Sequence, residues 1–438
     1  AGSPLWVWWA SRPAPPSTDA WVSPKDAAYL HGVARDTWRL FERCVGPDDQ
    51  HLPPDNLQLT PHDMVAHRTS PTNIGLYLLS VASARQFGWI GTREMLDRLQ
   101  ATLLTLHRLE RHRGHFLNWY DTQSCAPLLP MYVSTVDSGN LCGHLLALAQ
   151  ACRELARAPL DGASLQQAIL RSRSRMAPLL ALRFRLPPKA REELRWMLAD
   201  HRNMQQSAAR DVGLDARDAA GQLLVLADSF RALALQADFT FLYHHKRRLF
   251  HIGYRVAERQ RDSAFYDLLA SESRLTSLFA IAKGDVPVRH WAALGRPFFA
   301  VGTSVGLRSW TGSMFEYVMP SLVMAEPRGS VLQAACHAAL REQMAFTHSQ
   351  GLPWGVSESA YAASDHTLAY QYAPQGVPRL ALRRTPVDEL VIAPYATALV
   401  AQMAPRRATH NLRMLEGLGA RGRYGFIDAL DYSPARRT

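Results

Sequence analysis

Two glutamates in this chain lie in identical Ser-Glu-Ser steps, at residues 271–273 and 357–359. Glu272 and Glu358 are therefore flanked by small hydroxyl side chains, which leave room for a polar substrate to approach. Cleavage of a glycosidic bond requires two carboxyl groups, one that protonates the leaving oxygen and one that attacks the anomeric carbon or activates water. The pattern favours a carbohydrate active site with Glu272 and Glu358 as the catalytic pair. The alternative is that each carboxylate only stabilises the first turn of a helix.

A third acid, Glu316, lies between them, 44 residues after Glu272 and 42 residues before Glu358. Separations of this size suit successive helical hairpins that each present one acid. The neighbours of Glu316 are strongly apolar, and an acid buried among them requires a partner. An ion pair with Arg308 would provide one, whereas burial without a partner would raise the pKa of Glu316 and make it a proton donor. Glu316 is kept as a substrate contact or third acid.

Several segments combine aromatic rings with hydrogen-bonding groups, the mixture by which proteins bind sugars. Residues 116–122 and 136–141 are two of them, although Asp137 would also serve as a helix N-cap. Residues 67–73 are a polar segment that precedes an apolar helix. Their polar side chains either contact a glycan or form hydrogen bonds between the loop and the barrel. The candidate substrate-binding residues are Glu316, Asp137, Asn140, Trp119, Tyr120, Asp121, Arg68, Asn73, Trp310, Trp354, Tyr361, Tyr372 and Tyr395.

The composition is that of an ordinary globular protein, with 47% hydrophobic and 20% charged residues. The net charge of +11 comes mostly from arginines dispersed among acids, so no nucleic-acid partner is predicted. Five cysteines form no CxxC pair, which favours buried structural thiols. The motifs of phosphate-binding loops, zinc proteases and serine hydrolases do not occur. His107, His112 and His115 lack acids or cysteines at metal spacing, so neither a metal nor an organic cofactor is predicted.

Apolar residues recur at helical spacing through most of the chain. Helices that are apolar on nearly all sides are buried, and amphipathic helices cover them. Six strongly apolar segments alternate with amphipathic ones, which predicts an all-α fold: an (α/α)6 barrel with extra outer helices between residues 160 and 238. A few short β-hairpins are expected, one of them at residues 241–256. The inner helices are predicted to begin near Thr72, Asp137, Ser271, Gly312, Ser357 and Pro394.

The chain is predicted to form an N-terminal arm, residues 1–24, and a single catalytic barrel domain, residues 25–438. The apolar stretch around Trp6, Trp8 and Trp9 is much shorter than the roughly 20 residues of a membrane helix, so no membrane span is predicted. Two interpretations of this arm remain open. It is either the end of a membrane-proximal linker or an apolar segment packed on the domain.

Six motifs together carry a family resemblance. The chain closely resembles the middle domain of bacterial cyclic β-1,2-glucan synthases, over about residues 21–434. In that family a membrane-embedded glycosyltransferase makes linear β-1,2-glucan, the middle domain cyclises it, and a phosphorylase-like domain trims its length. The motifs are residues 69–79, 114–122, 133–141, 269–275, 309–317 and 354–361.

The resemblance implies an (α/α)6 barrel, shared with bacterial β-1,2-glucanases, and an anomer-retaining transglycosylation of linear β-1,2-glucan. It assigns Glu358 as nucleophile and Glu272 as acid/base. The reverse assignment of the two roles remains open. It also implies neighbouring glycosyltransferase and phosphorylase-like domains, and a location at the cytoplasmic face of the bacterial inner membrane. A hydrolytic endo-β-1,2-glucanase and a non-catalytic glucan-binding module are the alternatives.

Overall fold

The protein is described here from a computed structural model that covers residues 21–60, 62–160, 162–301, 304–366, 368–384, 386 and 388–436. The predicted arm, including Trp6, Trp8 and Trp9, lies outside the described residues except for its last four. No helix within the described ranges is both long and apolar enough to cross a membrane.

Thirteen α-helices form most of the regular structure of the described residues. They are α1 Pro24–Cys44, α2 Pro71–Gln86, α3 Thr92–Arg108, α4 Thr135–Leu155, α5 Gly162–Ala181, α6 Pro188–Ala209, α7 Ala216–Leu235, α8 Arg274–Lys283, α9 Arg289–Ala293, α10 Met314–Val318, α11 Val331–His348, α12 Pro394–Val400 and α13 Pro405–Gly417.

The strands are short and pair in antiparallel twos and threes. They are β1 Leu57–Gln58, β2 Met64–Val65, β3 Arg68–Thr69, β4 Arg111–His112, β5 His115–Phe116, β6 Tyr120–Asp121, β7 Tyr132–Ser134, β8 Tyr243–His244, β9 Leu249–His251, β10 Gly253–Arg255, β11 Gln260–Arg261, β12 Phe265–Tyr266, β13 Phe298–Val301, β14 Ser304–Leu307, β15 Ser359–Ser364, β16 Tyr370–Ala373, β17 Val391–Ile392, β18 Arg421–Gly422, β19 Gly425–Phe426 and β20 Leu430–Asp431.

Inner and outer helices differ in how their side chains are distributed. The inner helices α2 and α4 bury residues on nearly every side, whereas α3 and α13 bury only one face. Helix α4 packs against α2, α7 and α8, α10 packs against α11 and α12, and α13 packs against α1 and α12. The predicted all-α fold of the (α/α)6 type is thereby confirmed.

Short hydroxyl side chains start several inner helices. Ser70 Oγ accepts the N–H of Asn73 at the start of α2, and Ser134 Oγ accepts the N–H of Asp137 at the start of α4. Such caps satisfy amide groups that have no partner within the helix. Ser134 is therefore the N-cap of α4, and the proposed N-cap role of Asp137 is wrong.

Five of the six predicted inner-helix starts lie within a few residues of an observed start, those of α2, α4, α8, α10 and α12. The sixth, at Ser357, is wrong because this segment leads into β15, which pairs with β16. Its polar groups bond to other elements. Ser357 Oγ accepts the N–H of Phe315, and the N–H of Ala360 donates to Asp428.

The predicted additions to the barrel are confirmed. Helix α7 packs on α3 and α4, whereas α5 and α6 pair with each other around a separate small apolar cluster. The predicted hairpin at residues 241–256 forms β8, β9 and β10, although these strands belong to two different three-stranded sheets. One sheet has the order β12-β9-β8 and the other β11-β10-β7.

A buried ion cluster fastens α5 and β18 to α1. The Asp36 side chain is only 3% exposed and contacts three guanidinium groups, those of Arg39 at 2.7 Å, Arg175 at 2.7 Å and Arg421 at 2.6 Å. Removing one member of a buried ion pair leaves an uncompensated charge in a poorly solvated place. The cluster is therefore sensitive to loss of its single shared carboxylate.

We expect Asp36→Asn to lower the free energy of unfolding by about 3 to 5 kcal/mol, because three arginines would lose the anion that they share. Urea denaturation followed by circular dichroism measures this change. Asp63→Asn is the matched control, since Asp63 pairs with Arg43 at the surface and its side chain is 54% exposed. Its expected loss is below about 1 kcal/mol. Equal effects of the two substitutions would contradict the stabilising role of the buried cluster.

Candidate active site

Glu272 lies on a tight turn that immediately precedes α8. The neighbouring Arg274 is fully buried and holds this turn. Its guanidinium donates to the backbone oxygens of Ser271 at 3.0 Å, Glu316 at 2.8 Å and Tyr317 at 2.6 Å. It also pairs with the Glu326 carboxylate at 2.9 Å. The turn that carries Glu272 is thus fixed to the start of α10.

Glu358 is held by two tyrosines from different elements. Tyr372, on β16, donates its hydroxyl to Glu358 Oε2 at 2.9 Å. Tyr395, in the first turn of α12, donates to the Glu358 backbone oxygen at 2.8 Å and bonds to Ser357 Oγ at 2.9 Å. The side chain and the main chain of Glu358 are therefore positioned independently.

Asp137, on the first turn of α4, accepts hydrogen bonds at both carboxylate oxygens. Thr72 Oγ1 donates to Oδ1 at 2.6 Å, and Asn140 Nδ2 donates in turn to Thr72 at 3.3 Å. In the amide orientation that satisfies its neighbours, Asn118 donates to Asp137 Oδ2 at 2.9 Å and accepts from Trp119 Nε1 at 3.2 Å. Polar groups from α2, α4 and the segment before β6 thus meet at one carboxylate.

Glu272 has the environment of a proton donor. Burial raises the pKa of Glu272 well above its usual value, and the negative charges of Glu358, Asp137 and Glu316 raise it further. A hydrogen bond with Asn140 opposes this shift only in part. A carboxyl group in these surroundings retains its proton at pH values where an exposed glutamate is ionised. Glu272 is therefore suited to general acid catalysis.

Glu358 has a different balance of charges. Burial raises the pKa of Glu358, and the charges of Glu316 and Asp137 add to the shift, but the Tyr372 hydroxyl and the Arg383 guanidinium oppose it. Both of these groups stabilise the ionised form. Two neighbouring carboxyls with unequal surroundings provide an acid and an anion in one site, the pairing that glycoside transfer requires.

Glu316 is buried, with 5% exposure, and accepts several hydrogen bonds close to its own helix start. Ser309 Oγ donates to it at 2.8 Å, the N–H of Trp310 at 3.2 Å and the N–H of Thr311 at 3.1 Å. It also completes a reciprocal capping box with Ser313 at the start of α10. These donors replace the ion pair with Arg308 that the sequence suggested. The geometry gives Glu316 a positioning role, and its charge acts on both Glu272 and Glu358.

Aromatic side chains border the carboxyl groups. Tyr372 is 54% exposed and Trp310 is 42% exposed, so their rings are available to a ligand, and Trp310 Nε1 donates to Asp267 at 2.8 Å. Tyr266, on β12, was not among the predicted site residues. Burial raises the pKa of Tyr266, and the charges of Glu272 and Asp137 raise it further, which places its hydroxyl among the acids.

Three of the candidate binding residues have structural contacts in the core or in a turn. Tyr120 is fully buried, and its hydroxyl bonds to the N–H of Leu117 and the oxygen of Glu110, both at 2.6 Å. Asp121 accepts the backbone N–H groups of the turn that follows it. Trp354 is 7% exposed and belongs to the apolar core around α10 to α13. Ring and acid composition alone did not distinguish such core and turn positions from binding positions.

The remaining candidates lie near the edges of the site. The Arg68 guanidinium lies 5.4 Å from the Trp119 ring centroid and donates to Asp55 at 2.9 Å, so these residues form one half-exposed wall. The ring of Tyr361 lies 4.8 Å from the Arg436 guanidinium. Asn73 contributes its backbone N–H to the Ser70 cap.

Sequence reasoning also missed Thr72 and Asn118, the two donors to Asp137. Each lies beside a residue that was chosen, Asn73 and Trp119 respectively. The polar segments therefore indicated the correct part of the chain. Sequence alone does not show which side chain in such a segment bonds to a residue of another helix.

Comparison with known proteins agrees with this geometry. Residues 264–437, which include Glu272, Glu316 and Glu358, match the family model described as "Glycoamylase: Putative glucoamylase". The chain is 41% identical, over 497 aligned residues and 100% of its own length, to the cyclic beta-(1,2)-glucan synthase NdvB of Rhizobium meliloti (strain 1021). It spans 18% of the length of that protein.

Two solved structures show the same fold at low sequence identity. The endo-beta-1,2-glucanase of Talaromyces funiculosus, in complex with sophorose, has a TM-score of 0.65 and 12% identity, over 95% of this chain and 81% of that one. The endo-beta-1,2-glucanase of Chitinophaga pinensis has a TM-score of 0.60 and 12% identity, over 94% and 88%. The chain is thus a homologue, over its whole length, of one segment of a cyclic β-1,2-glucan synthase, and it has the fold of endo-β-1,2-glucanases.

Proposed function

We propose that this chain is an anomer-retaining transglycosylase that cyclises linear β-1,2-glucan by intramolecular transfer. The observation that carries the proposal is the full-length relation to a segment of a cyclic β-1,2-glucan synthase. The unequal carboxyl pair Glu272 and Glu358 supports it, because glycosyl transfer with retention needs one acid and one nucleophile.

In the first step, the Glu358 carboxylate attacks the anomeric carbon of a glucosyl unit. The bond from that carbon to the O2 atom of the next unit breaks, and Glu272 gives its proton to the departing oxygen. The Tyr372 hydroxyl holds Glu358 Oε2, which leaves the other carboxylate oxygen for the attack. The donor part of the glucan is now an ester of Glu358, with inverted configuration.

In the second step, Glu272 acts as a base. It takes the proton from a hydroxyl at the non-reducing end of the same glucan, and that oxygen attacks the anomeric carbon. The ester bond to Glu358 breaks, the β configuration is restored and the ring closes. This outcome requires a sugar hydroxyl to reach the intermediate before water does, and the exposed rings of Tyr372 and Trp310 are suited to hold an acceptor sugar.

The proposal also concerns the neighbouring domains and the cellular location of the reaction. The chain matches 18% of a much longer protein, which fits one domain among several. Its partners would be a glycosyltransferase domain that supplies linear glucan and a phosphorylase-like domain that shortens it. The site would then operate at the cytoplasmic face of the bacterial inner membrane.

Hydrolysis is the second candidate function, and the shared fold with endo-β-1,2-glucanases favours it. A hydrolase would use the same two carboxyl groups with water as the acceptor. A glucan-binding module without activity is a third candidate, and it predicts binding with no product.

Incubation of the protein with linear β-1,2-glucan should yield ring products that resist exo-glucosidase. Glu358→Gln should lower ring formation by at least about a thousandfold while glucan binding is retained, because an amide cannot attack the anomeric carbon. Glu192→Gln, at an exposed position on α6, is the matched control and should be fully active. Short reducing oligosaccharides from the wild type would establish hydrolysis instead, and binding without cleavage would establish a binding module.

Azide rescue should separate the roles of the two glutamates. In Glu358→Ala, azide takes the place of the nucleophile and should give the α-glycosyl azide by a single inversion. In Glu272→Ala, azide attacks the ester of Glu358 and should give the β-glycosyl azide. Nuclear magnetic resonance of the products distinguishes the two anomers. The opposite pattern would exchange the assignments of nucleophile and acid/base.

The pH profile of kcat/KM should be bell-shaped, with the acid limb set by ionisation of Glu358 and the alkaline limb by ionisation of Glu272. Tyr372→Phe removes a donor that lowers the pKa of Glu358, so the acid limb should move to higher pH. Tyr361→Phe, a tyrosine on the paired strand β15 that lies against Arg436, should leave this limb in place. An unchanged acid limb in Tyr372→Phe would show that Glu358 does not control it.

A further inference from the structure

A depression of about 430 Å³, whose lining includes none of the four carboxyl groups described above, is strongly basic. The His-His-Lys-Arg-Arg turn at residues 244–248 is next to it, and residues 244–262 contain six lysines and arginines against two acids. The proposed reaction uses none of these groups. The depression is lined by Arg113, Phe241, His244, His251, Tyr254, Arg259, Gln260 and Arg261.

The depression lies behind the sheet β12-β9-β8, on the face opposite to Tyr266. Successive residues of a strand point to opposite faces of a sheet. Tyr266 faces the catalytic acids, whereas Phe265 contacts His251, its cross-strand partner, with ring centroids 4.5 Å apart. Phe265 also contacts His244. His244 and His251, which line the depression, therefore lie on the face of this sheet opposite to the side chain of Tyr266.

The cationic groups of the depression are not neutralised by its own lining, which contains no acid among the described residues. The structure shows no ion-pair partner for Arg259 within the described part of the chain. Arg261 donates through Nε to the oxygen of Phe241, which fixes the side chain and leaves its terminal nitrogens for another partner. Arg113 lies over Phe241 and is 3.7 Å from Asp238, a loose pair with both side chains partly exposed.

Two nearby acids, Asp238 and Asp262, also bond to groups outside the depression. Asp238 accepts the N–H and the hydroxyl of Thr240. Asp262 accepts the hydroxyl of Tyr132 and lies 3.6 Å from Arg255. Three arginines thus line one cavity whose lining contains no acid among the described residues, beside the rings of Phe241 and Tyr254.

We propose that this depression is a binding site for a small phosphate-bearing ligand, held by Arg113, Arg259 and Arg261. Guanidinium groups match phosphate oxygens in geometry and bind them through paired hydrogen bonds. The rings of Phe241 and Tyr254 provide an apolar surface for the body of the ligand. The volume suits a sugar phosphate or a phospholipid headgroup, and both present the same phosphate chemistry. This site is independent of the proposed glucan reaction.

Isothermal titration of the full chain with inorganic phosphate and with glucose 1-phosphate tests the proposal, at an ionic strength of about 0.15 M where non-specific surface attraction is screened. Saturable one-to-one binding is expected. Arg259→Gln should weaken it by about tenfold, since it removes a charged donor from the site. Arg217→Gln is the matched control, because Arg217 is exposed in the first turn of α7 and does not line the depression. It should change the affinity less than about twofold.

Arg113→Gln should weaken binding in the same way. This second variant tests the site even if Arg259→Gln disturbs the turn that carries Arg259. Vesicles that contain phosphatidylglycerol distinguish the source of the phosphate. Binding to both soluble phosphates and vesicles, weakened by the same variants, supports a headgroup site, and binding to soluble phosphates alone supports a free ligand. Equal loss in Arg217→Gln, or binding only to vesicles, would overturn the proposal, as would equal affinity for chloride.

Discussion

The structure depends on how several carboxyl groups are kept together in a poorly solvated place. Glu272, Glu358, Asp137 and Glu316 act on one another electrostatically, and like charges at this depth are costly unless each is neutralised or hydrogen-bonded. Asp137 and Glu316 are satisfied by donors from neighbouring elements. Glu358 has Tyr372. Burial raises the pKa of Glu272, and the surrounding negative charges raise it further, so Glu272 is the carboxyl best suited to retain a proton. The asymmetry that chemistry requires thus follows from the distribution of donors.

The donors reach these carboxyl groups only if chain segments that are far apart in sequence are held at fixed positions relative to one another. Arg274 makes this possible on one side of the site, because a single buried guanidinium joins the Glu272 turn to the backbone of α10. The capping box between Ser313 and Glu316 stabilises the first turn of α10 itself. On the other side, Tyr395 links the start of α12 to the backbone of Glu358. Residues that do not touch substrate in the proposed mechanism therefore determine the distance and orientation of those that do.

The sequence was sufficient for the helical architecture because apolar periodicity and hydroxyl caps are local signals, and five inner-helix starts follow them. It was insufficient at Ser357, where the backbone bonds to Phe315 and Asp428, partners far away in sequence. The same limit explains the candidate site. Glu272 and Glu358 were selected from repeated tripeptides, whereas the burial of Tyr120 and Trp354 could not be predicted because burial is a tertiary property. Tyr266 was missed because nothing local connects it to the acids.

In the proposed function, the choice between water and sugar as acceptor is not determined by the fold itself. Proteins named as endo-β-1,2-glucanases share this fold, so the barrel alone does not determine the outcome. The elements around Glu358 that differ most from a plain helical barrel are β15 and β16, and β16 brings the exposed Tyr372 to the carboxylate. In the proposed mechanism, a tyrosine that orients Glu358 and also exposes its ring to an incoming sugar would couple formation of the ester to binding of the acceptor. If the proposed transglycosylation is right, we expect selection of the acceptor to depend on this hairpin more than on the carboxyl pair.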